Sequence, residues 1–197
     1  MSEDKGINIF LLGGTGVGKT SLVRAAAGQE FDSNSKAKFE GECFESQIQY
    51  EDKLFNYYIL DKGLQGQRSM IDLKSLRDSQ IILVVCAIND RYAFENIDTF
   101  FISIAQMRGT DGCIVSLVVT KSDLKDKGYV VDEKDIEKKA KKYGVKYIIT
   151  SALNDAEGFR NFLYEILGDY IYYYKCNPES IKIGQKGGKN NNKKKCA

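Results

Sequence analysis

The run Gly13-Gly14-Thr15-Gly16-Val17-Gly18-Lys19-Thr20, directly after the apolar segment Ile7–Leu12, constrains this chain more than any other feature. It has the form G-x-x-x-x-G-K-T, set between a buried strand and a segment that suits a helix over residues 20–28. Small residues let backbone N–H groups curl around phosphate oxygens at the positive end of the following helix. Lys19 sets a cation against the β- and γ-phosphates, and the Thr20 hydroxyl is a hard oxygen ligand suited to Mg²⁺. A glycine-rich turn that only happens to precede a helix would leave the eight-position match unexplained. The run predicts a site for a nucleoside diphosphate or triphosphate, held by Gly14, Thr15, Gly16, Val17, Gly18, Lys19, Thr20 and Ser21.

The rest of the chain alternates between strand-like and helix-like segments. Residues 43–50 and 54–61 read as two strands joined by Glu51-Asp52-Lys53, a hairpin by length. Ile81–Ala87 and Ile114–Thr120 are all-apolar or nearly so, as strands buried on both faces are. Phe94, Ile97, Phe101 and Ile104 recur at helical spacing. Residues 132–143 read as a helix stopped by Gly144, and 146–150 as a last strand. From Phe159 to Tyr174, apolar residues follow i, i+3, i+4 spacing for four turns, with Asn154 and Glu157 resembling a capping box at the start. That aromatic stripe reads as core. Six strands and about five helices predict a three-layer α/β domain, its mostly parallel sheet carrying one antiparallel hairpin strand.

Composition excludes several chemistries. The 197 residues include no His, which removes Ser-His-Asp triads, Cys-His dyads and His-containing zinc sites. The longest apolar run, residues 81–88, is too short to span a bilayer. Residues 1–6 have no apolar core of the kind secretory signals carry, and the five cysteines show no paired spacing. Both features predict a cytosolic protein with reduced thiols.

The base of the nucleotide is read further along. Thr120-Lys121-Ser122-Asp123 and Thr150-Ser151-Ala152-Leu153 both fall at carboxyl ends of predicted parallel strands, where such sheets bind ligands. Lys-x-Asp alone is a weak signal, since most such triplets are solvated surface charge. Behind a phosphate loop it gains meaning. A carboxylate at Asp123 can accept from the N1 and N2 donors of guanine, a pair that adenine lacks.

On the strength of these residues, residues 5–174 resemble the Ras superfamily of small GTPases. Thr120-Lys121-Ser122-Asp123 looks like its guanine motif, and Ser151-Ala152-Leu153 is similar to its Ser-Ala-Lys motif. Val85-Cys86-Ala87-Ile88-Asn89 and Phe94-Glu95-Asn96-Ile97 read like the family too. Arg77-Asp78-Ser79 and the lack of an inserted helix after Asp123 look most like the Rab branch. The resemblance implies a P-loop G-domain fold over residues 1–174, slow GTP hydrolysis to GDP and phosphate with Mg²⁺, and a switch role in vesicle traffic. It implies that Thr20 and Asp61 serve the metal, and that Gln65, with Lys19, serves catalysis. Phe31, Thr120, Lys121, Asp123, Leu124, Ser151, Ala152 and Leu153 would surround the guanine. It also implies effectors, an exchange factor and a GTPase-activating protein as partners, a monomer, and no nucleic-acid partner.

Two sensor segments depart from that pattern. The family's switch threonine falls here on Lys38, and no threonine occurs from Ser21 to Asp98. An ammonium has no lone pair to offer Mg²⁺. Ser35 offers a hydroxyl three residues earlier, and Gly41 allows a shifted register. In Asp61-Lys62-Gly63-Leu64-Gln65, Leu64 occupies a position where the family has glycine, and Thr15 stands where it has a small residue. Two functional readings stay open: a slow GTP-hydrolysing switch, favoured by Gln65, and a pseudo-switch that binds GTP or GDP, hydrolyses poorly and acts as a scaffold. A P-loop kinase or ATPase would fit the phosphate loop but not Thr120–Asp123.

Charge separates the ends of the chain. Residues 175–197 hold seven lysines and one acid, net +6, which leaves −4 for the other 174 residues of a chain whose net charge is +2. With little to bury, this tail is expected to be disordered. It suits a solubilising end, or an address for anionic membrane surfaces on their cytosolic face. In the second reading Cys196 is lipidated and Lys193, Lys194 and Lys195 assist. Cys196-Ala197 matches neither a double-cysteine end nor a C-a-a-X box.

Overall fold

The computed structural model describes residues 6–32, 42–61, 73–108, 112–127 and 131–176. The expectations for Ser35, Lys38, Leu64, Gln65 and Cys196 lie outside these residues. Six strands form one sheet in the order β2-β3-β1-β4-β5-β6. They are β1 (Ile7–Leu12), β2 (Glu42–Tyr50), β3 (Lys53–Asp61), β4 (Ile81–Ala87), β5 (Ile114–Thr120) and β6 (Lys146–Ile149). Only β2 and β3 pair antiparallel; every other pairing is parallel. The helices are α1 (Lys19–Ala26), α2 (Leu73–Asp78), α3 (Arg91–Arg108), α4 (Glu133–Tyr143) and α5 (Ala156–Tyr170).

The apolar strands are buried on both faces, and each face feeds a separate core. Ile7, Ile9 and Leu11 of β1 point to a layer with Leu22, Phe159, Leu163, Ile166 and Leu167 from α1 and α5. Phe10 and Leu12 point the other way, to Leu76, Phe94, Ile97, Phe101 and Ile136 from α2, α3 and α4. The α5 stripe is core as expected. Each such aliphatic or aromatic side chain contributes roughly 1.5–3 kcal/mol on leaving water.

Local chemistry corrects several predicted boundaries. Helix α1 stops at Ala26, because Ala27 caps it and Gly28 turns the chain out at φ +81°. The hairpin turn is Glu51-Asp52 alone, since Lys53 already pairs with Tyr50, and Glu51 takes the left-handed conformation such a tight turn needs. Asp155, not Asn154, caps α5, accepting from the Gly158 N–H at 3.2 Å. A Cβ on Gly158 would lie 2.4 Å from that carboxylate, which would have to shift to make room. Tyr174 lies beyond α5 in a π-helical turn, Ile171–Cys176, where its ring packs 5.0 Å from that of Tyr170. The short α2 and a 3-10 turn at Ser122–Lys127 carry too little periodicity to announce themselves.

Candidate nucleotide site

The phosphate loop joins β1 to α1 and is shaped by close packing. A Cβ on Gly13 would sit 2.3 Å from the Val85 carbonyl oxygen of β4, so only glycine lets the loop leave the sheet there. Gly16 and Gly18 adopt positive φ, 76° and 95°. Gly18 is the N-cap of α1 and provides no side-chain cap, which leaves the first N–H groups of that helix available to an anion. Val17 is buried and anchors the loop.

Lys19 is folded back over this loop. Only 6% exposed, it donates from Nζ to the carbonyl oxygens of Gly13 at 2.9 Å and Gly14 at 2.8 Å. Burial pushes its ammonium pKa down, and the Asp61 carboxylate partly offsets that. A buried cation held by two neutral carbonyls is undercompensated, and a phosphate would supply the missing negative charge. Thr20, one residue on, donates its hydroxyl to Asp61 Oδ2 at the end of β3. These are hard oxygen donors on adjacent elements, as Mg²⁺ requires. Among the described residues no group of three or more His, Cys, Asp and Glu side chains could hold a metal. An ion here would therefore depend on phosphate oxygens and water as well. Thr20 and Asp61 fit that demand.

Toward the β6 edge of the sheet, the loops after β5 and β6 are laced together. Ser151 donates its hydroxyl to Asp123 Oδ1 at 2.5 Å and accepts from the Leu153 N–H at 3.0 Å. The Ser122 N–H donates to the Thr150 carbonyl at 3.1 Å. Lys121 has φ +64°, unusual for a side chain of its size. Its Cε comes within 4.0 Å of where a Cβ on Gly18 would be, so its stem lies beside the phosphate loop.

Thr120 is 2% exposed, with its hydroxyl near the carbonyls of Val17 and Cys86. It ties the base loop to the phosphate loop. Phe31 and Leu153 are exposed, at 41% and 57%; Ala152 and Leu124 are half-buried. The structure thus brings the Gly14–Ser21 loop, Asp61, Lys121, Asp123 and Ser151 to the carboxyl ends of the parallel strands.

Three supports lie outside the residues predicted to hold the nucleotide. Gly13, taken only as the start of the motif, supplies a carbonyl to Lys19 and the closest backbone approach. Thr150 donates its hydroxyl to the Asp155 carbonyl at 2.9 Å, fixing the turn that presents Ser151. Cys86 contributes a backbone oxygen, which no side-chain motif reveals.

A strand-loop-helix phosphate cradle, a Thr–Asp oxygen pair and a laced base loop on this sheet define a small GTP-binding domain. A family model described as the Ras family matches residues 8–170, and the chain belongs to that family. It is also similar to the Ras-related protein RABG3f of Arabidopsis thaliana, with 27% identity over 188 residues and 90% of each chain covered. The chain is a Rab-like small GTPase, a GTP/GDP switch of a kind that uses Mg²⁺. Among the described residues no helix is long and apolar enough to cross a membrane.

Proposed function

We propose that this protein is a slow GTP-hydrolysing switch acting in membrane traffic. Asp123 selects guanine and Lys19 with Thr20 grips the phosphates; Thr20 and Asp61 hold Mg²⁺, and Gln65 orients the attacking water. Residues 1–174 form the nucleotide-binding domain, and residues 175–197 a basic tail for anionic membrane surfaces, with Cys196 as its lipid acceptor. One observation carries this reading: the Ser151 hydroxyl bonded to Asp123 Oδ1 at 2.5 Å. That bond holds a carboxylate at the carboxyl ends of β5 and β6, the same end of the sheet as the phosphate loop. Phe31 and Lys121 flank the guanine in this reading, and Ala152, Leu153 and Leu124 line its edge.

The second reading, a nucleotide-binding scaffold that hydrolyses poorly, is favoured by Lys38 and Leu64 at the two sensor positions. One experiment tests both. Purified full-length protein is loaded with GTP or ATP and Mg²⁺, and single-turnover product formation is followed. The switch reading expects tight GTP and GDP retention, no ATP retention and slow but complete conversion to GDP. GTP retained without conversion selects the scaffold. Equal retention of ATP overturns the guanine assignment.

A further inference from the structure

Helix α1 makes a second contact with the β2–β3 hairpin, one turn beyond Thr20. Thr20 and Arg24 are four residues apart and so share a face of the helix. Thr20 bonds to Asp61, the last residue of β3. Arg24 donates from Nε to Glu42 Oε2 at 3.2 Å and from Nη2 to Glu42 Oε1, a two-pronged grip on the first residue of β2. Glu42 and Asp61 are register partners across the antiparallel pair. The four side chains form a ladder with two rungs between helix and hairpin end. The Arg24 and Glu42 side chains are 24% and 25% exposed, so the pair is partly shielded from water, and its bidentate form is the strong one.

We propose that Arg24 and Glu42 are positioning residues for the Mg²⁺ site. Their grip sets the distance from α1 to the start of β2. Through the Glu42–Asp61 pairing, it holds the Asp61 carboxylate against Thr20. Neither residue touches the phosphates or the ion. The effect differs from a simple staple of helix to sheet, which would lower stability in every state and leave the Mg²⁺ requirement of nucleotide retention unchanged. The inference rests on the nucleotide site proposed above.

The test is release of a fluorescent GDP from the full-length protein, chased with unlabelled GDP across a Mg²⁺ titration. Arg24→Gln and Glu42→Gln should each raise the Mg²⁺ concentration needed for half-maximal retention by about five-fold, the scale of one well-formed ion pair. The double variant should be no worse than either single, because both remove one interaction. The exchanged pair Arg24→Glu with Glu42→Arg should recover most of the loss. Circular dichroism confirms that each variant is folded; should a glutamine variant fail to fold, the exchanged pair alone decides. Unchanged Mg²⁺ dependence in folded single variants, additive losses, or an exchanged pair no better than the worse single overturns the proposal. A wild-type chain that retains GDP equally with and without Mg²⁺ overturns the proposal while leaving guanine binding standing. A wild-type chain that does not retain GDP at all overturns both.

Discussion

In the proposed reading nucleotide choice turns on Asp123, and its setting suits that role. Its Oδ1 accepts from Ser151, whose hydroxyl in turn accepts from the Leu153 N–H, so the carboxylate cannot swing away. A fixed carboxylate facing two guanine donors makes charge-assisted bonds whose loss costs on the order of 2–4 kcal/mol. Asp123→Asn is therefore expected to weaken GDP binding by roughly one and a half to three orders of magnitude. It should at the same time favour xanthine nucleotides, whose extra carbonyl accepts from an amide. Competition titration with GDP and XDP checks this; an Asn variant that keeps its preference for GDP would remove Asp123 from the base site. The Lys-x-Asp spacing offers a candidate in sequence because its proposed chemistry resides in side chains. The role of Thr120 offers no such signal: its hydroxyl reaches the backbone of Val17, 103 residues away, and backbone acceptors leave no trace in a motif.

Elements show the same division. The buried strands and α5 were readable because their apolar periodicity is long and uninterrupted. Where two polar caps competed at the start of α5, spacing pointed to Asn154, but the backbone turned one residue later and Asp155 took the role. What sequence could not reveal is how α3 and α4 are clamped. Asp98 on α3 faces Lys139, Lys142 and Tyr143, all from α4. Tyr143 donates its hydroxyl to Asp98 Oδ1 at 2.6 Å, and both lysine ammonium groups lie at 3.4 Å. Lys139 also sits 4.3 Å over the Phe94 ring and donates to the Phe94 carbonyl. Burial alone would raise the Asp98 pKa, but the Tyr143 bond and the two lysines outweigh it and hold the carboxyl below its ordinary range. A carboxyl depressed in the folded state adds stability above its unfolded pKa and loses it as pH falls through the folded value. Asp98→Asn should thus lower the urea midpoint at neutral pH. The gap from wild type should close progressively below about pH 4. A gap that stays constant down to the lowest pH at which the fold persists would mean that packing, not charge, makes the clamp.

On the scale of the whole molecule, the sheet sets the described loops of the candidate site at the carboxyl ends of its parallel strands, and α5 runs on into the π-helical turn. The charge is partitioned likewise, with a net −4 over the first 174 residues and +6 over the last 23. A mildly acidic body is repelled by an anionic surface, so the proposed attraction rests on the tail, where each lysine near such a surface contributes about 1 kcal/mol. Replacing Lys193, Lys194 and Lys195 together by Ala should then weaken binding of full-length recombinant protein to phosphatidylserine-containing vesicles by roughly two orders of magnitude. Wild-type binding should fall as added salt shortens the screening length. Cys196→Ser should leave the binding of this unmodified protein unchanged, because its contribution requires a lipid on the thiol. Cosedimentation over a salt series measures all three. Equal binding to neutral vesicles, or full binding by the triple-alanine variant, would assign the tail to solubility and move the search for a membrane contact to the folded domain.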